Sequence, residues 1–242
     1  MNQFSRKQKG LAWGVHLFTA SGAVMALLAT FAIFEGRWQA AFGWMATAVM
    51  VDALDGTLAR WLGVKGALPS FDGALLDNII DYQTYVIIPA LFVVQAELLP
   101  SGWALTGASL IVLTSAYQFA QADAKTADHF FKGFPSYWNV VAVYLFLLGL
   151  NPVLNLLLIA LCAALVFVPL KYVYPSRTET FRQMTLILSS LWGVAILVAL
   201  VQYPLVQPWL VHGSLLFIAY YLLLSVYLTR TWRRSLPLPL DD

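Results

Sequence analysis

Eight apolar stretches fill almost the whole of this chain, and each is long enough to cross a bilayer or nearly so. Hydropathy and breaker residues place helices near 11–34, 38–62, 72–98, 103–122, 134–150, 152–174, 180–203 and 207–230. Pro100–Gly102, Asn151–Pro152 and Pro204–Pro208 are the short turns between some of them. Only 11% of the 242 residues are charged, against about 25% in soluble domains. The fold class this predicts is all-α, a polytopic membrane bundle of about eight transmembrane helices. No internal repeat or long linker divides it, so residues 1–242 are read as a single membrane domain. Residues 1–10 form a basic juxtamembrane start, and 231–242 form a short tail.

Charge distribution orients the bundle. With the N-terminus in the cytoplasm, 13 of the 14 basic residues fall on the cytoplasmic side and Arg37 is the lone exception. Both termini are therefore expected there. The apolar run after the basic start is longer than a signal-peptide core and lacks a convincing small-residue cleavage site, so it reads as a retained first helix. The single cysteine, Cys162, sits in an apolar run and reads as a small buried side chain, not as part of a disulfide framework. His16, His129 and His212 are scattered without ligand spacing, and no catalytic role is assigned to them. No nucleic-acid partner is expected.

Against this apolar background four acids stand out. Asp52 and Asp55, three residues apart, share one face of the second helix, and Gly56 and Ala59 continue that face. Gly73, Asp77 and Asp81, spaced by four, form a stripe on the third. A short loop brings the two stripes together. Each carboxylate near the centre of a membrane helix costs roughly 2.5–3.5 kcal/mol, so four alone would cost about 10 kcal/mol. Arg60 is the one basic residue in the group. Divalent cations would neutralise the rest, and carboxylate oxygens suit magnesium, manganese or calcium. Asp72 differs: it precedes the third helix where an N-cap belongs. Gly56, Ala59 and Gly73 leave a slot without bulk beside the acids. Metals, an arginine and such a slot point to phosphate chemistry. Acids confined to one helix pair, in a chain without repeats, argue against the rival reading as a cation transporter.

At these residues the sequence resembles the CDP-alcohol phosphotransferases, whose pattern is D-x2-D-G-x2-A-R, a spacer, then G-x3-D-x3-D. Asp52, Asp55, Gly56, Ala59, Arg60, Gly73, Asp77 and Asp81 match it position for position. The spacer, Trp61 to Asp72, has twelve residues where eight is commonest. That length, and the stretch from Phe130 to Asn139, resemble a bacterial subgroup that uses choline. The resemblance implies that choline's hydroxyl attacks CDP-diacylglycerol in the bacterial inner (cytoplasmic) membrane, releasing CMP into the cytoplasm. It implies two Mn2+ or Mg2+ ions on Asp52, Asp55, Asp77 and Asp81, with Asp81 also the general base. It implies a CDP site of Asp55, Gly56, Ala59, Arg60 and Gly73, and a homodimer. Serine or inositol as acceptor is the alternative within the family. A quaternary ammonium is attracted to ring faces, so Tyr82, Tyr85, Tyr117, Tyr137 and Trp138 are the choline-binding candidates. Interfacial belt positions explain such residues equally well.

Overall fold

The computed structural model describes residues 4–126, 128, 130–175 and 178–235, with the side chains of 232–235 excepted. His129, Arg177 and the 236–242 part of the tail thus lie outside the described residues. The described residues form two compact units, one built from residues up to Val112 with Tyr137–Phe146, the other from Leu113–Ser136 with Leu147 onward.

The first unit contains α1 (Arg6–Phe34), α2 (Trp38–Trp61), a short α3 (Val64–Ala67), α4 (Gly73–Tyr82) and α5 (Ile88–Gln95). Ser5 starts α1 through a capping box: Gln8 N donates to Ser5 Oγ at 3.2 Å, and Ser5 N donates to Gln8 Oε1 at 2.8 Å. The basic start is thus already helical. The buried face of α1 is mostly small: Ala12, Thr19, Gly22, Ala26, Ala29 and Ala32. Small faces let backbones approach closely in a bilayer, and α2, α4 and α5 all pack on α1. A Cβ on Gly22 would meet Ile80 Cγ2 at 2.5 Å, which shows how near α4 comes.

The twelve-residue spacer acquires a physical role. Gly63 turns the chain with φ +61°, and α3 then lays Val64, Ala67 and Leu68 against Ala12 and Val15 of α1. Asp72 caps α4 as expected, accepting from Ala74 N at 3.1 Å and Leu75 N at 3.0 Å. Between α4 and α5 the helix widens into a π-turn, Gln83–Ile87. Pro89 follows, with no N–H to continue the regular ladder. Below this turn Trp38, Phe42, Phe92 and Phe146 interlock, with ring centroids 4.5–6.2 Å apart.

The remaining helices are α6 (Ala104–Ala120), α7 (Trp138–Leu148), α8 (Pro152–Leu165), α9 (Arg182–Gln202) and α10 (Pro208–Ser235). Among the described residues, α1, α9 and α10 over Pro208–Thr231 are long and apolar enough by themselves to cross a membrane. Leu17, Leu105, Val201 and Leu205 are each more than 70% exposed, a surface suited to lipid and not to water. With α2 and the α4–α5 rod, the described residues carry a helical rod within each of the eight spans that hydropathy placed, two of them shortened. α10 carries on to Ser235, five residues into the stretch read as a tail.

Two expected helices are shorter than predicted. The spans 134–150 and 152–174 reduce to α7 and α8, and two strands, β1 (Phe130–Lys132) and β2 (Lys171–Val173), pair antiparallel in the second unit. Pro169 cannot extend α8, and the residues after it are β-formers. The other edge of β2 would be costly in an apolar setting. Side chains of α10 cover it: Lys171 N donates to Thr229 Oγ1 at 2.8 Å and Val173 N to Ser225 Oγ at 3.3 Å.

Lys171 on β2 is 5% exposed, its ammonium paired with Asp128 and lying over the Phe130 ring. Partial burial pushes the Asp128 carboxyl up. Hydrogen bonds from Lys171 and Thr126 and the Lys171 charge outweigh that, so its pKa lies below the ordinary carboxylate value. The pair therefore stabilises the fold at neutral pH, and its contribution is lost as pH falls below about 4. The two partners are unequal, because the Asp128 side chain is 52% exposed. Asp128→Ala strands a buried ammonium and is expected to cost about 3 kcal/mol. Lys171→Met leaves only a solvated carboxylate and is expected to cost about 1 kcal/mol. Thermal unfolding of both variants in one detergent checks this; equal losses would contradict the assignment of the burial to Lys171.

Candidate active site

Helical spacing brings the four aspartates to one place in the first unit. One carboxylate oxygen from each of Asp52, Asp55 and Asp77 lies within 4.8 Å of the other two. Asp55 is 6% exposed, and Asp52 and Asp77 are half-buried. The cleft they line also takes in Thr19 of α1, Ala48 and Val51 of α2, and Ile80, Asp81 and Thr84 of the third rod. Asp81 therefore faces the same cleft while standing outside the three-acid group.

The donor set fits a divalent cation. Oxygens that ligate one Mg2+ at about 2.1 Å lie at most about 4.2 Å apart. The three aspartates need close by only a few tenths of an ångström at their widest pair. A cation there would also cancel the mutual repulsion of the acids.

Tyr85, on the π-turn one turn beyond Asp81, donates its hydroxyl to Asp52 Oδ2 at 2.7 Å and so fixes that carboxylate's orientation. Single π-turns inside helices recur at functional sites. This one carries a phenol from the third rod to an acid on α2. The Tyr85 ring also approaches Tyr137, with centroids 6.3 Å apart. Of the other aromatic candidates, Tyr82 commits its hydroxyl to Val112 O at 2.9 Å, and Trp138 is 1% exposed. Tyr117 belongs to the second unit, where it stacks on Phe167 and accepts from Gln121 Nε2 at 2.7 Å.

The small residues divide into two kinds. Gly56 gives room to Arg60, whose Nη1 lies 3.2 Å from where a Cβ on Gly56 would stand. The Arg60 guanidinium donates to Thr57 Oγ1 at 3.1 Å and is otherwise open to solvent. Gly73 gives room to His16 of α1, whose ring would be 2.7 Å from a Cβ. Ala59 packs on the α1–α3 cluster. The contribution of α1, through Thr19 and His16, escaped the sequence reading. The available signal was two polar residues three apart on an otherwise apolar helix, and that also describes ordinary packing.

Comparison with known proteins agrees with this geometry. The family model of the CDP-alcohol phosphatidyltransferases matches residues 16–170. The chain belongs to that family. Within it, the chain is similar to the phosphatidylcholine synthase of Legionella pneumophila, 42% identical over 93% of this chain and 91% of the relative. It is similar as well to the phosphatidylcholine synthases of Pseudomonas aeruginosa, 42% identical over 83% and 84% of the two chains, and of Borreliella burgdorferi, 38% identical over 90% and 94%.

Proposed function

We propose that this chain makes phosphatidylcholine by transferring the phosphatidyl group of CDP-diacylglycerol to choline, with release of CMP. The observation that carries this is the acidic cleft itself, four aspartates on two apolar rods in the family's spacing. The names of the relatives, matched along nearly their whole length, supply the acceptor.

In the reaction the hydroxyl oxygen of choline attacks the β-phosphorus, and the bond from that phosphorus to the oxygen bridging it to the α-phosphate breaks. CMP leaves with the bond's electron pair, and the hydroxyl proton passes to a carboxylate oxygen of Asp81. Two divalent cations, Mn2+ or Mg2+, held by Asp52, Asp55, Asp77 and Asp81, would supply positive charge to the diphosphate. Tyr85 holds Asp52 in position, and Arg60, beside Gly56, is placed to meet the nucleotide. Asp55, Ala59 and Gly73 complete that subsite. The ring faces of Tyr85 and Tyr137 receive the quaternary ammonium, which takes no hydrogen bond and is held by aromatic faces; Tyr82, Trp138 and Tyr117 are the further candidates. The positive-inside distribution supports a site and termini on the cytoplasmic side. By family analogy the enzyme sits in the inner membrane and works as a homodimer, and the lack of a repeat or long linker supports one domain.

The test incubates purified protein with CDP-diacylglycerol, Mn2+ and one alcohol at a time, and measures CMP. Release with choline is expected. Release with serine or inositol but not choline would overturn the acceptor, and no release with any alcohol would overturn the enzyme reading. In the same assay Tyr137→Ala is expected to raise the KM for choline roughly three- to tenfold. An unchanged choline KM on alanine substitution at each of the five aromatic positions would remove the aromatic cage.

A further inference from the structure

One buried polar atom beside the acidic cleft has no role in the account above. His16 is 7% exposed, and its Nε2 is fully buried with no hydrogen-bond partner among the described residues. Its ring lies between Trp13 and Phe71, with centroids 5.9 Å and 4.4 Å away, and covers the bare face of Gly73. A phenyl ring would fill that notch equally well and bury no unpaired nitrogen. Buried polar groups are nearly always paired, and an exception calls for an explanation.

The position of His16 supplies one. α1 and α4 climb in register: His16 meets Gly73, Thr19 reaches the acidic cleft, and Gly22 meets Ile80. His16 therefore stands one helical turn from the cleft, level with Gly73, which is about 6 Å along α4 from Asp77. On α2, Gly56, Ala59 and Arg60 continue in the same direction away from Asp55. A diphosphate held at the acids has its nucleotide on this side, and Nε2 lies 3.8 Å from the point where a side chain on Gly73 would begin.

We infer that His16 is a nucleotide-binding residue, its Nε2–H donating to an oxygen of the cytidine monophosphate half of CDP-diacylglycerol across the bare surface of Gly73. Thus the absence of a side chain on Gly73 admits the His16 ring beside α4 and sets its buried Nε2 next to that glycine. The inference rests on the reading of the chain as a CDP-diacylglycerol enzyme, and it adds a recognition element from α1 that lies outside the aspartate motif.

Direct binding of CMP separates the two claims. Titration calorimetry with CMP and Mn2+ would compare the parent protein with His16→Ala and His16→Gln, the second placing an amide N–H near the former Nε2. The parent is expected to bind CMP, His16→Ala to bind about tenfold more weakly, and His16→Gln to stay within about threefold of the parent. In turnover, KM for CDP-diacylglycerol should rise in His16→Ala while KM for choline holds. A parent that binds no CMP would overturn both readings. CMP affinity in His16→Ala within twofold of a parent that does bind would overturn the His16 assignment alone. So would a His16→Gln variant as weak as His16→Ala. If His16→Ala does not fold, the glutamine variant decides: near-parental affinity supports the hydrogen bond, and a tenfold loss in a folded protein removes it.

Discussion

Asp81→Asn is expected to lower kcat by about 10^3-fold while leaving CMP binding and the folded bundle intact. The asparagine side chain has the same shape as the carboxyl but cannot take the acceptor's proton, and positioned proton transfer is worth about 10^2 to 10^4 in rate. The geometry separates this residue from its neighbours. Asp52, Asp55 and Asp77 gather their oxygens into one group, whereas Asp81 lines the same cleft outside that group. Asp55→Asn should therefore fail differently, by losing affinity for the cation, and raising Mn2+ should recover part of its activity. Measurement of kcat against Mn2+ concentration for the two variants makes the comparison. Recovery of Asp81→Asn at high Mn2+ would leave it the part of a ligand alone, without proton transfer, and near-parental kcat would likewise remove it from proton transfer. Neither substitution should unfold the protein. Removing one of four crowded carboxylates from an apolar bundle relieves an insertion cost of a few kcal/mol, so the melting temperature without added metal should hold or rise. A site that is less stable with its functional residues than without them is one kept for function.

The aspartates were legible because they are costly where they stand. In a chain this apolar, acids at spacings of three and four cannot be incidental, and the helical period alone puts them on facing stripes. Asp72 was legible for the opposite reason: it sits where a helix end requires an acceptor. Less could be read of α1. Thr19 and His16 acquire meaning only once α4 is packed beside them, and their partners lie about sixty residues further on. The same holds for Tyr85, whose bond to Asp52 spans 33 positions and depends on a π-turn that hydropathy does not register. Most hidden were β1 and β2. β1 falls in the connection between two expected helices and β2 inside the span 152–174, where aromatic and branched side chains read as more helix. What makes β2 tolerable in an apolar setting is a pair of hydroxyls, Ser225 and Thr229, on α10 more than fifty residues downstream.

The strand pair also concentrates the largest stability effect expected in the molecule, at Gly133, directly after β1. Its φ is +78°, in the left-handed region that costs an L-residue about 1–2 kcal/mol. Its N–H donates to Leu170 O at 2.9 Å, and the next residue, Phe134, donates to Leu165 O at 3.0 Å, so the turn is stitched to the end of α8. A Cβ at this position would stand 2.2 Å from the carbonyl oxygen of Val166, a backbone atom that cannot swing aside as a side-chain tip would. Gly133→Ala must therefore break one of these stitches or move the α8 terminus. Backbone strain and overpacking together give an expected loss of roughly 2–5 kcal/mol. Gly102 provides the control. Its φ is +82° but nothing stands within 4 Å of its would-be Cβ, so Gly102→Ala carries the backbone strain without the collision. Thermal unfolding of both variants in the same detergent should find Gly133→Ala the more damaged by at least the overpacking share, about 1–3 kcal/mol. Equal losses would mean that the chain after β1 yields without cost, and that the contact between Gly133 and the end of α8 does not hold the strand pair in place.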